Sequence, residues 1–302
     1  MTHIAITGGT GFVGTKLIDL ALERGHAVRA LARRTQPARA GLEWIAGDLA
    51  NGDALARLTT EADAVIHVAG VINARTPLEF AAGNIEGTRA MLEASREVPR
   101  FVHVSSLAAR EPALSIYGNT KAAADALVRT ARPDAAIVRP PAVYGPGDRE
   151  TANVYKLVAR GWALLPGSGR FSIVEVSDLA RALLALAENP ASSGIFEIDD
   201  ATLGGLSHRE MAAYIAAALG KTPTYVPLPP AALRLGAAID TLGAKLAGRL
   251  PALSFDRARY LAHPDWVADS APLRSLGIWA PEVPAAEGIA RTAEWYRNAG
   301  WI

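Results

Sequence analysis

Short apolar runs alternate with segments of helical periodicity through the first half of the chain. The runs hold four to seven residues and are rich in β-branched and other apolar side chains, which is typical of strands covered on both faces. Between the runs, apolar residues recur three or four positions apart, which predicts amphipathic helices. The predicted strands cover residues 3–7, 27–32, 42–46, 64–70, 101–104 and 136–139, and the predicted helices begin near Val13 and Asp53 or span 77–95 and 117–129.

This alternation predicts an α/β fold in which helices cover a doubly wound parallel sheet. Beyond residue 145 the pattern changes to clusters of glycine and proline between helical stretches, the clearest at 177–188 and 207–219. A late apolar run near 194–199 fits a strand that returns to the large sheet. We therefore predict a Rossmann-type dinucleotide-binding domain over residues 1–145 and a smaller, discontinuous, mostly helical substrate domain over 146–302.

The stretch from 231 to 250 has an apolar stripe at helical spacing with cations to one side. Its residues are Leu235, Ile239, Leu242 and Leu246 in the stripe, with Arg234 and Lys245 beside it. A helix that faces a membrane surface or a partner is one interpretation. We favour a lid helix that packs its stripe on its own domain, because contact with a core is the usual cause of this spacing.

Composition removes several classes of function. The formal net charge of +1 gives no electrostatic footprint for nucleic acid, and we expect no such partner. The absence of cysteine excludes disulfides and thiolate sites, and the six histidines are scattered, so we predict no metal site. No apolar stretch reaches about eighteen residues, so we predict no membrane span. A strand occupies the place of a secretory signal, and we therefore expect a cytoplasmic protein.

A glycine-rich turn joins the first strand to the first helix. Its sequence is TGGTGFVG over residues 7–14, with glycines at 8, 11 and 14. Such glycines let the backbone bend, let a phosphate approach without meeting a Cβ atom, and let the helix press against the strand. The free amides and the positive helix end favour an anion. We expect a cofactor diphosphate here, bound by Gly8, Thr10, Gly11, Phe12 and Val13.

The end of the second strand decides which cofactor is favoured. An acidic residue at this place binds the adenosine ribose hydroxyls of NAD(H), whereas an arginine accepts the 2′-phosphate of NADP(H). The chain has Ala32, Arg33 and Arg34 there and no carboxylate. We therefore predict that Arg33 contributes to a preference for NADP(H), with NAD(H) as a possible alternative.

Three residues form a candidate hydride-transfer site. Tyr117 and Lys121 lie four positions apart on a predicted helix, and Ser106 follows the fifth strand at the edge where ligands of open α/β sheets bind. Alone, the Tyr/Lys spacing is also typical of a solvated helix face. Together with the glycine turn it predicts that Tyr117 is the general acid or base, Lys121 its electrostatic partner, and Ser106 the hydrogen-bond donor to the substrate oxygen.

The chain resembles the extended, atypical short-chain dehydrogenase/reductases of the NAD(P)-dependent epimerase/dehydratase type. The resemblance rests on the glycine turn, GDL at 47–49, HVAG at 67–70, NIEGT at 84–88, SS at 105–106, the Tyr117–Lys121 pair and RPPAVYGPGD at 139–148. It implies that Ser106, Tyr117 and Lys121 are catalytic and that the protein forms a homodimer. It further implies that several residues contact the cofactor. Asp48 and Leu49 would contact the adenine, Ala69 and Gly70 would line the cofactor, and Pro140 and Val143 would border the nicotinamide.

Two departures from the family pattern bear on the substrate. Ser106 precedes Tyr117 by only eleven residues, and Phe171 stands where relatives that act on nucleotide sugars carry an arginine, with Arg170 one residue away. A one-residue slip on a strand turns a side chain to the other face. We therefore predict an oxidoreductase for a carbonyl or secondary alcohol of a small, fairly apolar molecule. The alternatives are a nucleotide-sugar epimerase/dehydratase with retained NAD, and a non-catalytic NADPH-binding accessory or sensor protein.

Overall fold

The computed structural model describes residues 2–251 and 253–302. In chain order its strands are β1 (His3–Thr7), β2 (Ala27–Ala32), β3 (Leu42–Ala46), β4 (Ala64–His67), β5 (Arg100–Val104), β6 (Ala136–Arg139), β7 (Ala142–Tyr144), β8 (Trp162–Leu165), β9 (Arg170–Phe171), β10 (Ile173–Glu175), β11 (Gly194–Glu197), β12 (Leu206–Ser207), β13 (Thr224–Pro227) and β14 (Asp265–Trp266).

The α-helices are α1 (Phe12–Glu23), α2 (Gly52–Thr59), α3 (Pro77–Ala81), α4 (Gly87–Ala94), α5 (Ile116–Ala131), α6 (Ala152–Ala159), α7 (Val176–Glu188), α8 (His208–Leu219), α9 (Pro230–Leu246), α10 (Phe255–Ala262), α11 (Ala271–Ser275) and α12 (Ala285–Asn298). A π-helix covers Ala82–Glu86, and a 3₁₀ helix covers Leu107–Arg110. Among the described residues, no helix is both long enough and apolar enough to cross a membrane.

Seven parallel strands form one sheet in the order β11-β6-β5-β4-β1-β2-β3. The chain starts at β1, builds outward to β3, and then crosses to β4 on the other side, so the order reverses between β1 and β4. Ligands of such sheets bind beyond the carboxyl ends of the strands at this reversal. The predicted doubly wound parallel sheet is thus confirmed, and its ligand-binding edge carries the ends of β1, β4 and β5.

The chain divides into two compact units. Unit 1 comprises Met1–Pro140, Val176–Ile198 and Asp269–Ala280, and unit 2 comprises Pro141–Glu175, Asp199–Ala268 and Pro281–Ile302. The division differs from the predicted one. Besides the returning strand β11, unit 1 also contains α7 and the segment 269–280. The reason is packing: α7 lies on α1, and Leu179, Leu183 and Leu184 of α7 are fully buried.

Unit 2 is built around a cluster of aromatic and small apolar side chains. Tyr155 and Tyr296 lie at its centre with their rings edge to face at 4.9 Å. Helices supply most of the cluster, as expected for a mostly helical domain. Short strands, which the sequence did not predict, pair around it as β7 with β10, β8 with β13, and β9 with β12 and β14. Each holds two to four residues, too few to show a periodicity.

The predicted helix over 77–95 is interrupted. The π-helix at Ala82–Glu86 separates α3 from α4. Within it, Asn84 accepts a hydrogen bond from the Val71 amide at 2.6 Å and donates to the Val71 carbonyl at 2.9 Å. Gly83 lies so close to Val71 that a Cβ atom would overlap the valine side chain. The interruption therefore lets the chain after β4 dock against this helix.

The apolar stripe of α9 faces solvent, contrary to our expectation that it would pack on its own domain. Leu235, Ile239, Leu242 and Leu246 are all exposed. The buried side of the helix is formed instead by Leu233, Ala237 and Ala244. The interpretation failed because two sides of this helix are apolar, and the side with the smaller residues is the one that packs.

Candidate active site

The glycine turn lies at the end of β1 and opens α1. Gly8 has a φ of +74°, and a Cβ atom there would lie 2.7 Å from the amide nitrogen of Ala69. At Gly14 a Cβ atom would overlap the Gly8 carbonyl oxygen. Only glycine fits these places, because one needs a left-handed backbone and both need close approach. The turn therefore brings the head of α1 against the segment that follows β4.

The first turn of α1 leaves its amides available to a ligand. Gly11 is the N-cap residue and offers no side chain to the first amides of the helix. Thr10 and Gly11 are exposed, while Phe12 and Val13 are half-buried. An uncapped helix start combines free N–H donors with the positive end of the helix dipole. This arrangement suits the diphosphate of a dinucleotide, so the predicted residues fit the cofactor that the fold implies.

Two exposed arginines follow β2. Arg33 and Arg34 lie directly after Ala32, and neither guanidinium forms an ion pair with any described residue. By contrast, Arg29 on the same strand pairs with Glu43 and Arg39 pairs with Asp19. The two cations at the end of β2 are therefore available to a phosphate group.

Ser106 and Tyr117 lie together beyond the end of β5. The Ser106 hydroxyl caps the short helix Leu107–Arg110 by accepting from the Ala108 amide at 3.2 Å. Burial raises the pKa of the Tyr117 phenol above its usual value of 10.0, and the neighbouring Ser106 hydroxyl opposes that rise. At neutral pH the phenol is therefore protonated and can act as an acid.

Lys121 is buried one helical turn beyond Tyr117. Its ammonium group donates to the Val104 carbonyl, at the end of β5, over 2.7 Å. A Cβ atom on Gly70 would lie 3.7 Å from Lys121 Nζ, so the ammonium also lies beside the segment after β4. Burial lowers the pKa of Lys121 to about 8, and the negative charge of Asp125 opposes this change. An ammonium has three donors, and two remain for Tyr117 or a ligand.

Two buried histidines lie beneath Lys121 and stack on each other at 5.5 Å. His67 bonds to Thr7 at 2.7 Å and to Thr88 at 3.2 Å, as expected for a core histidine. His103, by contrast, has no hydrogen-bond partner among the described residues. Burial, followed by the charge of Lys121, lowers the pKa of His67 to about 3 and that of His103 well below 6.5. Both rings are neutral at pH 7.

Asp125 is a site residue that the sequence analysis missed. It lies one turn beyond Lys121 on α5, is almost fully buried, and forms an ion pair with Arg139 at 2.9 Å. Burial raises the pKa of its carboxyl, and Arg139 opposes that rise. Its other oxygen lies 3.7 Å from His103 Nε2. The spacing of Tyr117, Lys121 and Asp125 on one helix face was the signal that could have found it.

The remaining predicted cofactor residues occupy varied surroundings. Asp48 is exposed and accepts from the Ala50 amide at 3.0 Å, and Leu49 packs against Gly87. Ala69 and Gly70 lie beside Gly8 and Lys121, respectively. Pro140 is buried in unit 1 and accepts from the Leu107 amide at 2.9 Å, and Val143 lies on β7 in unit 2.

Arg170 is engaged within unit 2. It donates to the carbonyls of Gly204 at 2.7 Å and Gly205 at 2.5 Å, and it pairs with Glu210 at 3.3 Å. Its neighbour Phe171 lies against the ring of His208 at 4.9 Å. The guanidinium therefore holds a loop and a helix start, and its donors are largely used by the protein.

Comparison with known proteins assigns the chain to a family. The model of the NAD-dependent epimerase/dehydratase family matches residues 4–198. A ceramide reductase of Caulobacter vibrioides (strain NA1000 / CB15N) is 40% identical over 311 residues, which cover 99% of this chain and 96% of the relative. A 2-alkyl-3-oxoalkanoate reductase of Stenotrophomonas maltophilia (strain K279a) is 28% identical over 95% of this chain and 97% of its own.

Among solved structures, the crystal structure of gox2253 matches with a TM-score of 0.79 at 24% identity, covering 100% of this chain and 99% of that one. This likeness supports the fold. The family model covers more than half of the chain, and a relative 40% identical matches it from end to end. The resemblance inferred from the sequence is thereby confirmed: the chain belongs to the NAD-dependent epimerase/dehydratase family of enzymes.

Proposed function

We propose that this enzyme reduces a ketone on a long-chain lipid to a secondary alcohol, with NADPH as the favoured hydride donor. The substrate class is an N-acylated long-chain amino ketone, which is the oxidised counterpart of a ceramide. One observation carries the proposal. The Ser106 hydroxyl, the Tyr117 phenol and the buried ammonium of Lys121 lie together at the ligand-binding edge of the sheet.

In the proposed reaction, Tyr117 donates its hydroxyl proton to the ketone oxygen while the carbonyl carbon gains a hydride. A reduced nicotinamide supplies that hydride when bound. A C–H and an O–H bond form, the C=O double bond becomes single, and the proton lost by Tyr117 is restored from solvent. Ser106 donates to the same oxygen as negative charge develops on it, which lowers the barrier because the donor is held in place in advance.

Lys121 supports this step through its charge. An ammonium one helical turn from Tyr117 stabilises the tyrosinate that remains after proton transfer, which makes the phenol a stronger acid. The Val104 carbonyl holds Nζ in position, and Asp125 favours the charged form. The two neutral histidines add no competing positive charge.

The lipid class is inferred from two relatives aligned over nearly their whole length. One is named a ceramide reductase and the other a 2-alkyl-3-oxoalkanoate reductase. Ceramides and alkyl oxoalkanoates both carry long alkyl chains, and a secondary hydroxyl arises from a ketone by reduction. We therefore assign a long-chain substrate, which is larger than the small apolar molecule expected from the sequence.

The engagement of Arg170 argues against a nucleotide sugar. A diphosphate needs cationic donors, and Arg170 is the cation nearest in sequence to the place where nucleotide-sugar relatives carry one. Its guanidinium is bound by two carbonyls and Glu210. Recruiting it would break these contacts, and hydrogen bonds to a charged group typically contribute about 1.5–3 kcal/mol each.

The preference for NADPH rests on Arg33 and Arg34. Both are exposed, both lack an ion pair among the described residues, and the end of β2 has no carboxylate to bind ribose hydroxyls. A 2′-phosphate carries the charge that guanidinium groups bind best. Binding of NADH would lack this interaction, so we expect it to be weaker.

The proposed activity is tested with a short-chain N-acyl 3-oxosphinganine, NADPH consumption by absorbance, and product identification by mass spectrometry. We expect consumption of one NADPH for each secondary alcohol formed. The matched control is the corresponding ceramide, which has no ketone and should consume none. No consumption with the oxo-lipid, together with interconversion of UDP-glucose and UDP-galactose, would instead establish the epimerase alternative.

A further inference from the structure

Helix α9 carries a row of large apolar side chains that none of the described residues covers. Leu235, Ile239, Leu242 and Leu246 follow the spacing i, i+4, i+7 and i+11, which places them on one face. Each of the four is between 62% and 82% exposed. Single exposed leucines are common on proteins, but a continuous row of this kind marks an interaction surface.

The exposed row is separate from the contacts that hold α9 in unit 2. Leu233, Ala237 and Ala244 form the buried side, and Leu233 and Ala237 pack with Ala258 of α10. Substitutions in the exposed row should therefore leave the helix folded, because they remove no buried contact. This separation makes the surface testable without disturbing the structure.

The charges beside the row are positive. Arg234 and Lys245 are both exposed and lie eleven residues apart, so they share one edge of the helix about three turns from each other. Neither forms an ion pair with a described residue. Asp240, the acid within α9, accepts a hydrogen bond from the Leu253 amide at 2.8 Å and forms an ion pair with Arg249. Its negative charge is therefore neutralised within the protein.

We propose that α9 lies in the interface of an anionic lipid bilayer, with the apolar row among the acyl chains and Arg234 and Lys245 at the phosphate level. Leucine and isoleucine on one face with basic residues at its edge are typical of helices that lie in the membrane plane. Lysine and arginine stems reach from such an edge to the headgroups. Anionic lipid attracts each cation near the surface.

A bilayer fits this surface better than a second copy of the chain. A self-complementary interface needs acidic groups opposite Arg234 and Lys245, and the exposed side of α9 carries none. The choice of lipid over a soluble protein partner also rests on the proposed function, since a long-chain substrate resides in membranes. The surface itself is defined by exposure and charge alone.

The proposal is tested by flotation of the full-length protein with vesicles, in the absence of substrate and cofactor. Vesicles of phosphatidylcholine are compared with vesicles that also contain phosphatidylglycerol. We expect flotation with the anionic vesicles, weakened by high salt. The double variant Leu242→Gln/Leu246→Gln should lower the vesicle partition coefficient by about tenfold or more. Arg234→Gln/Lys245→Gln should lower binding only to the anionic vesicles.

The matched control is Leu203→Gln, which replaces an almost fully exposed leucine outside α9 and should leave binding unchanged. Failure of the wild-type protein to float, or equal flotation of the Leu242/Leu246 variant, would overturn the proposal. A dimer that the same variant converts to monomer would assign the surface to a second copy instead. Because flotation needs no turnover, its result is independent of whether the enzyme reduces an oxo-lipid.

Discussion

The charge on Lys121 is maintained by one buried carboxylate. Burial lowers the pKa of this lysine to about 8, close to working pH, and Asp125 is the group that opposes the change. The proposed reduction needs Tyr117 protonated and Lys121 charged. As pH rises through the pKa of Lys121, the ammonium is lost, Tyr117 becomes a weaker acid, and the rate should fall.

We therefore expect Asp125→Asn to move the alkaline limb of the kcat profile to lower pH. Removing the carboxylate takes away the interaction that raises the Lys121 pKa, so the ammonium is lost earlier. The loss of activity should be greater at alkaline than at neutral pH. The measurement is kcat for oxo-lipid reduction across the neutral to alkaline range.

The control is Asp134→Asn, which removes an exposed carboxylate paired with Arg132 elsewhere in unit 1. NADPH affinity and the melting temperature separate the electrostatic effect from loss of the Asp125–Arg139 ion pair, because loss of that pair alone lowers stability without moving the pH profile. An unchanged alkaline limb in the Asp125 variant would show that Asp125 does not tune Lys121.

The predicted preference for NADPH over NADH can be tested by replacing Arg33. Replacing it with alanine removes one charge-assisted contact with the 2′-phosphate, which is worth about 1.5–3 kcal/mol. We expect the Kd for NADPH to rise about tenfold or more, while the Kd for NADH changes by less than about twofold. Fluorescence titration with each cofactor measures both values.

Arg129→Ala is the matched control, since Arg129 is also an exposed arginine of unit 1 without an ion pair to a described residue. Equal NADPH affinity in the Arg33 variant and the wild-type protein would contradict the proposal that Arg33, at the end of β2, binds the 2′-phosphate.

Individual residues differ in how much the sequence disclosed about them. Ser106, Tyr117 and Lys121 could be predicted as site residues because their types and spacing suit one reaction and follow a recognisable turn. Asp125 was missed, because an acid four residues after a lysine is also typical of an exposed helix face, and the spacing alone does not reveal its burial. Its burial depends on packing against β5, where His103 lies. Nothing in the sequence indicates that the His103 ring would lack a hydrogen bond among the described residues.

The turn between β1 and α1 depends on Gly14 more than on any other glycine of the motif. A Cβ atom there would overlap the Gly8 carbonyl. We expect Gly14→Ala to push α1 away from the turn, to cost about 1–3 kcal/mol of unfolding free energy, and to weaken NADPH binding severely. Urea unfolding and cofactor titration measure the two effects.

Gly52→Ala, at the start of α2, is the control, because a Cβ atom there would meet nothing within 4 Å. It should leave both properties nearly unchanged. Normal NADPH affinity in the Gly14 variant would contradict the account of the turn as the diphosphate site.

The strands of the large sheet and the helices between them were well predicted, since short apolar runs and helical periodicity alternate regularly there. The π-helix at Ala82–Glu86 was not, because its cause is the contact of Gly83 and Asn84 with Val71, which lies twelve and thirteen residues earlier in the chain. The predicted orientation of α9 was wrong for a related reason. A helical wheel shows which residues share a face, but the position of α10 decides which face is buried.

Two compact units make up the molecule, and the chain enters each more than once. The predicted return of a strand to the large sheet is seen as β11, paired with β6. The segments around it also belong to unit 1, since Trp279 donates to the Asp178 carbonyl at 2.9 Å and so joins the segment 269–280 to α7. Periodicity predicts that such segments are helical, but it does not say which core they join.

In the proposed mechanism, catalysis depends on the phenol of Tyr117, so the turnover of Tyr117→Phe tests the central claim. The change removes the proton donor and keeps the ring that fills the site. With NADPH and an N-acyl 3-oxosphinganine, we expect kcat to fall about 100-fold or more, the usual contribution of a general acid, while the Kd for NADPH stays within about twofold. A Tyr117→Phe enzyme that turns over at the wild-type rate would contradict the account.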